Sequence, residues 1–228
     1  MSERDNILAR IREALTAAAP VPRQKHRPAG SAPVRSSAAD QRRVLPKVGQ
    51  SSDERLALFG SNAAELRADF RLLESLSALA AELKQIGAAE GWQRAASHDG
   101  ELTGAACRAL GLPVVLVDQA FDKRELAGCD VGISECDALV AQTGSVLVTS
   151  RSAGGRALSV LPPHHVVLGR REQLVADLPA AFALLKSKHG AAYPSMISFI
   201  TGPSRTGDIE RILVLGAHGP KKLTILCC

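Results

Sequence analysis

The stretch MISFITGPSRTGDIERILVLGAHGP, residues 196–220, contains the pattern that decides the fold. An apolar run rich in β-forming residues, Met196–Thr201, is broken by Gly202 and Pro203, and a helix-like segment, Asp208–Val214, follows. A strand, a glycine-rich turn and a helix start gather free backbone N–H groups at one point, where the helix dipole favours an anion. The pattern predicts an anion-binding turn in an α/β protein, and an ordinarily capped strand–turn–helix connection is the alternative.

The polar side chains of this turn suit an anionic ligand. Ser204 and Thr206 offer hydroxyl donors, and Arg205 offers a guanidinium that matches carboxylate or phosphate. Asp208 and Glu210 stand where a helix N-terminus favours negative charge. The turn has neither the GxxxxGK[ST] pattern of a phosphate-binding P-loop nor the GxGxxG fingerprint of a dinucleotide site.

Short apolar runs alternate with helical patterns along the rest of the chain. Helical spacing is found in residues 3–17, 52–88, 100–110 and 172–186. Apolar runs that predict strands are found at 113–117, 131–134, 145–150, 166–168 and 223–227, and residues 137–141 are predicted to form a compact short helix or turn. The alternation predicts an α/β fold with a mainly parallel sheet.

The charge divides the chain into two predicted parts. Residues 1–50 contain ten Lys/Arg and four Asp/Glu, whereas residues 51–228 contain eighteen and nineteen. We expect an amphipathic helix with a basic arm rich in Pro, Ala and Ser over 1–50, and an α/β domain over 51–228. The arm is either a solvated tail or a surface that contacts a partner, a membrane or nucleic acid.

Composition excludes several classes of protein. Aromatic residues make up 3% of the chain, too few for the base-stacking surfaces of single-stranded nucleic-acid binders. The five cysteines form no CxxC pair and no iron–sulfur spacing, so no cofactor is predicted. The odd cysteine count and the lack of a signal peptide indicate a cytoplasmic protein, and no apolar run is long enough to span a membrane.

Candidate functional residues are placed by a rule for parallel sheets, whose ligands bind where the strands end. The loops 135–145, 151–159 and 202–210 supply most of the candidates. The candidate catalytic residues are Asp137, Glu210 and His218. The candidate substrate-binding residues are Thr143, Gly144, Ser145, Arg156, Ser159, Gly202, Ser204, Arg205, Thr206 and Asp208. Two arginines, several hydroxyls and turn N–H groups predict a site for a small carboxylate or phosphate ester.

Metal and nucleophile chemistry are weakly indicated. His164 and His165 are adjacent, so on a strand they point to opposite faces and cannot easily share one metal ion. No metal site is predicted. There is no GxSxG nucleophile motif, and Cys136 would react only if its thiolate were stabilised.

Three segments together resemble one known family. They are FITGPSRTGDIERILVLGAHGP (199–220), DVGISECDALVAQTGSVLVTS (130–150) and GRALSVLPPHHVVLG (155–169). In this order they resemble the signatures of the LUD-domain family of lactate utilisation, and in particular its LutC type. The resemblance implies a Rossmann-like three-layer α/β fold, similar to sugar-phosphate isomerases, glucosamine-phosphate deaminases and CoA transferases.

The resemblance also implies a role in oxidation of L-lactate to pyruvate, alongside iron–sulfur partner proteins. It supports Asp137 and not Glu135, and it marks one departure: Gln142 stands where the family is usually acidic. A mechanism that needs an acid there is in doubt for this chain. Two functions stay open: a non-redox subunit of a lactate-oxidising complex, or a stand-alone enzyme or sensor for a small phosphorylated or carboxylated metabolite. The residues leave open whether the chain is an enzyme.

Overall fold

A computed structural model describes residues 3–16, 47–118, 121–206, 214–216 and 218–228. The chain divides into two compact units, Met1–Arg42 and Arg43–Cys228. The first unit contains helix α1, Glu3–Thr16, where the apolar spacing predicted a helix. Ile7 and Leu8 of this helix are exposed. No helix among the described residues has the length and apolar character needed to cross a membrane.

The second unit contains helices and strands in alternation. Its helices are α2 (Ser52–Glu65), α3 (Leu76–Glu90), α4 (Glu101–Leu110), α5 (Lys123–Ala127) and α6 (Leu178–His189). Its strands are β1 (Asp69–Leu72), β2 (Ala95–Ser97), β3 (Val114–Leu116), β4 (Val131–Glu135), β5 (Ala138–Val140), β6 (Ser145–Thr149), β7 (His164–Gly169), β8 (Leu174–Val175), β9 (Ile197–Ile200), β10 (Arg205–Thr206), β11 (Val214–Leu215) and β12 (Lys222–Cys227).

Six strands form a sheet in the order β1-β12-β7-β4-β2-β3, and every pairing in it is parallel. This confirms the predicted mainly parallel sheet. The chain runs from β2 outward to β3, returns to β4 on the other side of β2, and continues through β7 to β12. The strand order therefore reverses between β2 and β4, and in parallel sheets ligands bind where the strands end at such a reversal.

A second sheet lies against the first and was not predicted. It has the order β8-β5-β6-β9, and β6 pairs antiparallel with both β5 and β9. Helices α3 and α4 cover one face of the parallel sheet, and α2 packs with β5 and β6 against the other. Helix α6 covers the outer face of the second sheet.

Two local predictions were wrong. Residues 52–88 are not one helical region, because the chain turns at Arg67, with φ of 64°, and forms β1. Strand β1 exists because β12, far away in sequence, pairs with it. The compact turn expected at 137–141 is strand β5, which is extended by its pairing with β6.

Candidate functional site

The residues that follow β2 and β4 lie at the edge of the parallel sheet where its strands end, which we call the carboxyl edge. His98 follows β2, and Glu135 ends β4. Loop 150–156 lies over this edge: at Gly154, with φ of 60°, an added Cβ would stand 2.5 Å from the Cβ of His98. Only glycine fits this turn, because its φ is left-handed and the histidine lies directly below.

The Glu135 carboxylate occupies the N-terminus of helix α4. Its Oε1 accepts hydrogen bonds from the backbone N–H groups of Leu102, at 2.8 Å, and Thr103, at 3.2 Å. A side chain at Gly100 would overlap that same oxygen. A helix N-terminus favours an anion, and here a carboxylate of the chain itself fills the position.

His98 is held in one hydrogen-bonding state. The backbone N–H of Glu135 donates to its Nε2 at 3.0 Å. Since Nε2 accepts, a neutral His98 must have its proton on Nδ1. The histidine is 5% exposed, and the hydroxyl of Thr103 donates to its carbonyl at 2.9 Å. Sequence reasoning missed His98, although its place directly after a short apolar strand was a usable signal.

Asp137 lies two residues beyond the end of β4, at the centre of a polar cluster. Its side chain is 1% exposed and forms an ion pair with Lys188 of α6, and the Ser152 hydroxyl donates to its other oxygen. Burial by itself raises the pKa of Asp137, but the hydrogen bonds from Lys188 and Ser152 outweigh burial and leave the pKa below its ordinary value. Asp137 is therefore a buried anion that fixes a lysine and a serine.

Two cations border this cluster on the solvent side. The Lys188 side chain is half exposed, and Arg151, next to Ser152, is exposed. The Arg151 guanidinium lies 3.5 Å from Nδ1 of His189 and 3.4 Å from the carbonyl of Ala192. Arg151 adjoins Ser152 in the chain, and its guanidinium contacts His189, the neighbour of Lys188. The group of Asp137, Arg151, Ser152 and Lys188, here named the Asp137 cluster, offers a guanidinium and an ammonium, the groups that bind small anions.

The predicted residues Thr143, Gly144 and Ser145 lie at the opposite end of the β5–β6 hairpin from Asp137. Val140 pairs with Ser145, whereas the backbone N–H of Asp137 donates to the carbonyl of Leu147. Gly144, with φ of 64°, packs closely on the backbone of Ala63 in α2. Ser145 Oγ lies 2.8 Å from Thr201 Oγ1. This turn attaches the hairpin to α2 and to β9.

The turn that follows β9, residues 202–204, lies near the edge where the parallel strands begin. The backbone N–H of Ser204 donates to the carbonyl of Pro220, directly before β12, and Gly202 packs on Leu66. Arg205 and Thr206 form β10, which pairs antiparallel with Val214 and Leu215. The helix predicted over 208–214 is therefore wrong at Val214, since hairpin pairing extends it. Asp208 and Glu210 lie outside the described residues.

Three further predicted residues do not contact the Asp137 cluster in any described hydrogen bond or ion pair. Ser159 donates to the carbonyl of Arg156, and Arg156 is exposed. His218 is exposed and borders a surface cleft of about 450 Å³ with Leu161 and Lys221. The structure therefore separates the candidates, with Asp137 at one edge of the parallel sheet and Ser204, Arg205 and His218 at the other.

Cys136, Cys227 and the two strand histidines are buried. Burial raises the pKa of the Cys136 thiol strongly and that of Cys227 to about 12, so neither forms a thiolate readily. His164 contacts Thr224 and His165 contacts Ser134, both at 2.9 Å and on opposite faces of β7. In the part of the chain that the structure describes, no group of three or more His, Cys, Asp or Glu could hold a metal ion.

Fold and site together define an α/β protein with a strand-order reversal and a polar cluster where its parallel strands end. Comparison with known proteins gives the family: the LUD domain matches residues 62–227, and the chain belongs to the LUD-domain family. It is 32% identical over 181 residues to lactate utilization protein C of Shouchella clausii, covering 75% of this chain and 78% of the relative.

Two further comparisons agree. Lactate utilization protein C of Geobacillus kaustophilus is 39% identical over 106 residues, which cover 46% of this chain and 43% of that protein. The crystal structure of a DUF162 family protein from Deinococcus radiodurans superposes with a TM-score of 0.60. It covers 78% of this chain and 99% of its own, and at 19% identity it shows the shared fold alone.

Proposed function

We propose that this chain acts in the utilisation of L-lactate, as a non-redox component that works with iron–sulfur partner proteins. The observation that carries the proposal is the 32% identity over 181 residues to a lactate utilization protein C. That similarity spans most of both chains. The LUD-domain match, residues 62–227, includes the parallel sheet and the Asp137 cluster. The proposed place of action is the cytoplasm.

The non-redox part of the proposal rests on the chemistry of the chain's own cysteines. All five are free, Cys129, Cys136 and Cys227 are buried, and the sequence offers no spacing that would bind an iron–sulfur cluster. Burial raises the pKa of these buried thiols, which disfavours the thiolate that a cluster needs. Electron transfer is therefore assigned to partners.

The proposed contribution of this chain is to bind a small carboxylate, such as lactate or pyruvate, at the Asp137 cluster. Arg151 provides a planar guanidinium for the carboxylate, and Lys188, fixed by Asp137, provides a second positive charge. The α4 N-terminus, which would suit a phosphate, is already filled by Glu135. This favours a carboxylate at the Asp137 cluster over a phosphate ester at the N-terminus of α4.

Ligand-induced stabilisation tests the site. A ligand that binds only the native state at about 100 times its Kd adds roughly 2.7 kcal/mol to the free energy of unfolding. We expect lactate or pyruvate to raise the melting temperature of the wild type, and we expect Arg151→Met to remove the rise. Arg205→Met is the matched control, since Arg205 is also exposed but lies at the other edge of the parallel sheet. A response lost in the Arg205 variant and kept in the Arg151 variant would move the site to that edge.

Co-purification tests the partner role. The full chain, tagged and expressed in its own host during growth on L-lactate, is expected to retain proteins with the visible absorbance of iron–sulfur clusters. A pure, colourless chain from such cells would contradict the partner role, whatever the outcome of the ligand experiment.

The second candidate function is a stand-alone enzyme or sensor for a small carboxylated or phosphorylated metabolite. The observation that favours it is that all four residues of the Asp137 cluster come from one chain. Turnover of such a metabolite by the isolated protein would support this function, and inertness would leave the partner-dependent role.

A further inference from the structure

The two principal sheets have four edge strands, and three of them are protected against pairing with another strand. Among the described residues, β8 has two residues and β3 has three, both too short to offer much pairing. Strand β1 carries Asp69 and Arg71, and Arg71 also forms an ion pair with Glu82. Short length and charge are the usual means by which sheet edges avoid association.

The fourth edge, β9, has neither protection. It spans four residues, Ile197–Ile200, and in the described part of the chain it pairs only with β6. The segment around it, Ser195–Thr201, contains no charged residue and no proline. No described strand pairs with its outer row of backbone groups, and such a row can accept another strand.

An apolar surface formed by Phe182, Phe199 and Ile197 lies beside this edge. The rings of Phe182 of α6 and Phe199 of β9 have centroids 5.4 Å apart, and Ile197, two residues before Phe199, is on the same face of the sheet. Phe182 is 57% exposed and Ile197 is 38% exposed. Among the described residues, Phe182 and Ile197 thus form exposed apolar surface next to the open edge of β9, and contiguous surface of this kind is typical of an interaction site.

We propose that β9 pairs antiparallel with β9 of a second copy of this chain, which joins the two four-stranded sheets into one sheet of eight. A two-fold axis perpendicular to the sheet leaves the same face of each copy on the same side of the joined sheet. Side chains alternate between the faces, so residues opposite each other must both have odd numbers or both have even numbers. Centred on Ser198, the pairing sets Ile197 opposite Phe199 of the partner subunit and Met196 opposite the partner's Ile200. Each pair is apolar, and no like charges meet.

The choice of a second copy follows from this symmetry. An uncharged strand is its own complement when antiparallel, because it presents the same row of N–H and C=O groups in both directions. A partner of different sequence would not require β9 to form apolar pairs with itself on both faces of the sheet. The inference does not depend on the ligand or on the proposed role in lactate utilisation.

The oligomeric state and its response to one charge test the proposal. We expect light scattering after gel filtration to give twice the monomer mass for the wild type, and Ile197→Lys to give the monomer with unchanged circular dichroism. Leu72→Lys is the matched control, because Leu72 is 42% exposed on the charged edge strand β1. It should stay dimeric. A monomeric wild type, or a dimer that Ile197→Lys leaves intact, would overturn the proposal.

A cysteine pair tests the register independently of folding defects. Residues directly opposite in antiparallel strands have Cα atoms about 4.5–5.5 Å apart, within the range of about 4.4–6.8 Å that a disulfide spans. Ser198→Cys should therefore form a covalent dimer under mild oxidation. Leu72→Cys should give no more covalent dimer than the wild type, whose five native cysteines set the background of cross-linking. Equal cross-linking of the two variants would refute the β9 pairing.

Discussion

Replacing Lys188 by Met isolates the buried carboxylate at the centre of the candidate site. Asp137 is 1% exposed at its side chain, and Lys188 is its ion-pair partner. The substitution keeps the length of the side chain but removes the charge. Asp137 then retains the hydroxyl of Ser152 and loses its only described cation.

The expected loss lies between two limits. Removing one partner of a fully buried ion pair costs about 3–5 kcal/mol, whereas an exposed pair contributes about 0–1 kcal/mol. Asp137 is buried and Lys188 is 50% exposed, so we expect a loss of about 2 kcal/mol in the free energy of unfolding. For a domain of this size that corresponds to a fall of roughly 4–8 °C in Tm.

The same variant has a predicted pH dependence. The pKa of Asp137 is lowered in the folded protein, so its ion pair stabilises the fold above the unfolded pKa of about 3.9. That stability is lost as the pH falls through the folded pKa. Lys188→Met removes the main cause of the lowered pKa, so its stability should fall less on acidification than that of the wild type.

Urea unfolding at neutral and acidic pH measures both effects. Lys186→Met is the matched control, since Lys186 is exposed on the same helix and forms no ion pair with a described residue. It should change stability by no more than about 0.5 kcal/mol. If the two variants are equally stable at neutral pH, the Asp137–Lys188 pair does not have the role argued here.

Two further substitutions test the scaffold. Gly91→Ala should lower the free energy of unfolding by about 1 kcal/mol because φ at residue 91 is left-handed. Gly144→Ala should lower it at least twice as much, because the added Cβ would also meet helix α2. Equal losses in urea unfolding would refute this. Glu135→Gln should lower the free energy of unfolding by about 1 kcal/mol because the α4 N-terminus loses its anion. Glu101→Gln removes only an exposed ion pair with Arg170 and should lower it by about 0.5 kcal/mol or less. A larger loss at residue 101 would contradict the capping role of Glu135.

The parallel sheet could be predicted because its strands are short, continuous apolar runs. Val131–Ser134 and Leu223–Cys227 are buried on both faces of the sheet, so periodicity marked them without tertiary information. Strand β1 escaped prediction because its extended form depends on pairing with β12, more than one hundred and fifty residues later. The β5 strand was missed although its partner β6 is close in sequence, because pairing and not the local pattern fixes its extended form.

The candidate site was only partly predictable. Asp137 was marked by the family resemblance, but Lys188 is separated from it by 51 residues and lies on a helix with no motif. Residues 197–203 form the strand and the turn that the sequence indicated, yet local pattern does not tell which edge of the sheet a turn joins. The hydrogen bond from Ser204 to Pro220 decides that, and it places the turn where β12 begins.

Growth on L-lactate tests the central claim most directly. A strain that lacks only this chain is compared with the same strain carrying the wild-type chain, on L-lactate and on pyruvate as carbon sources. The proposed function predicts failure on L-lactate, normal growth on pyruvate, and recovery on L-lactate when the wild-type chain is restored. Equal growth of the deleted and restored strains on L-lactate would contradict it.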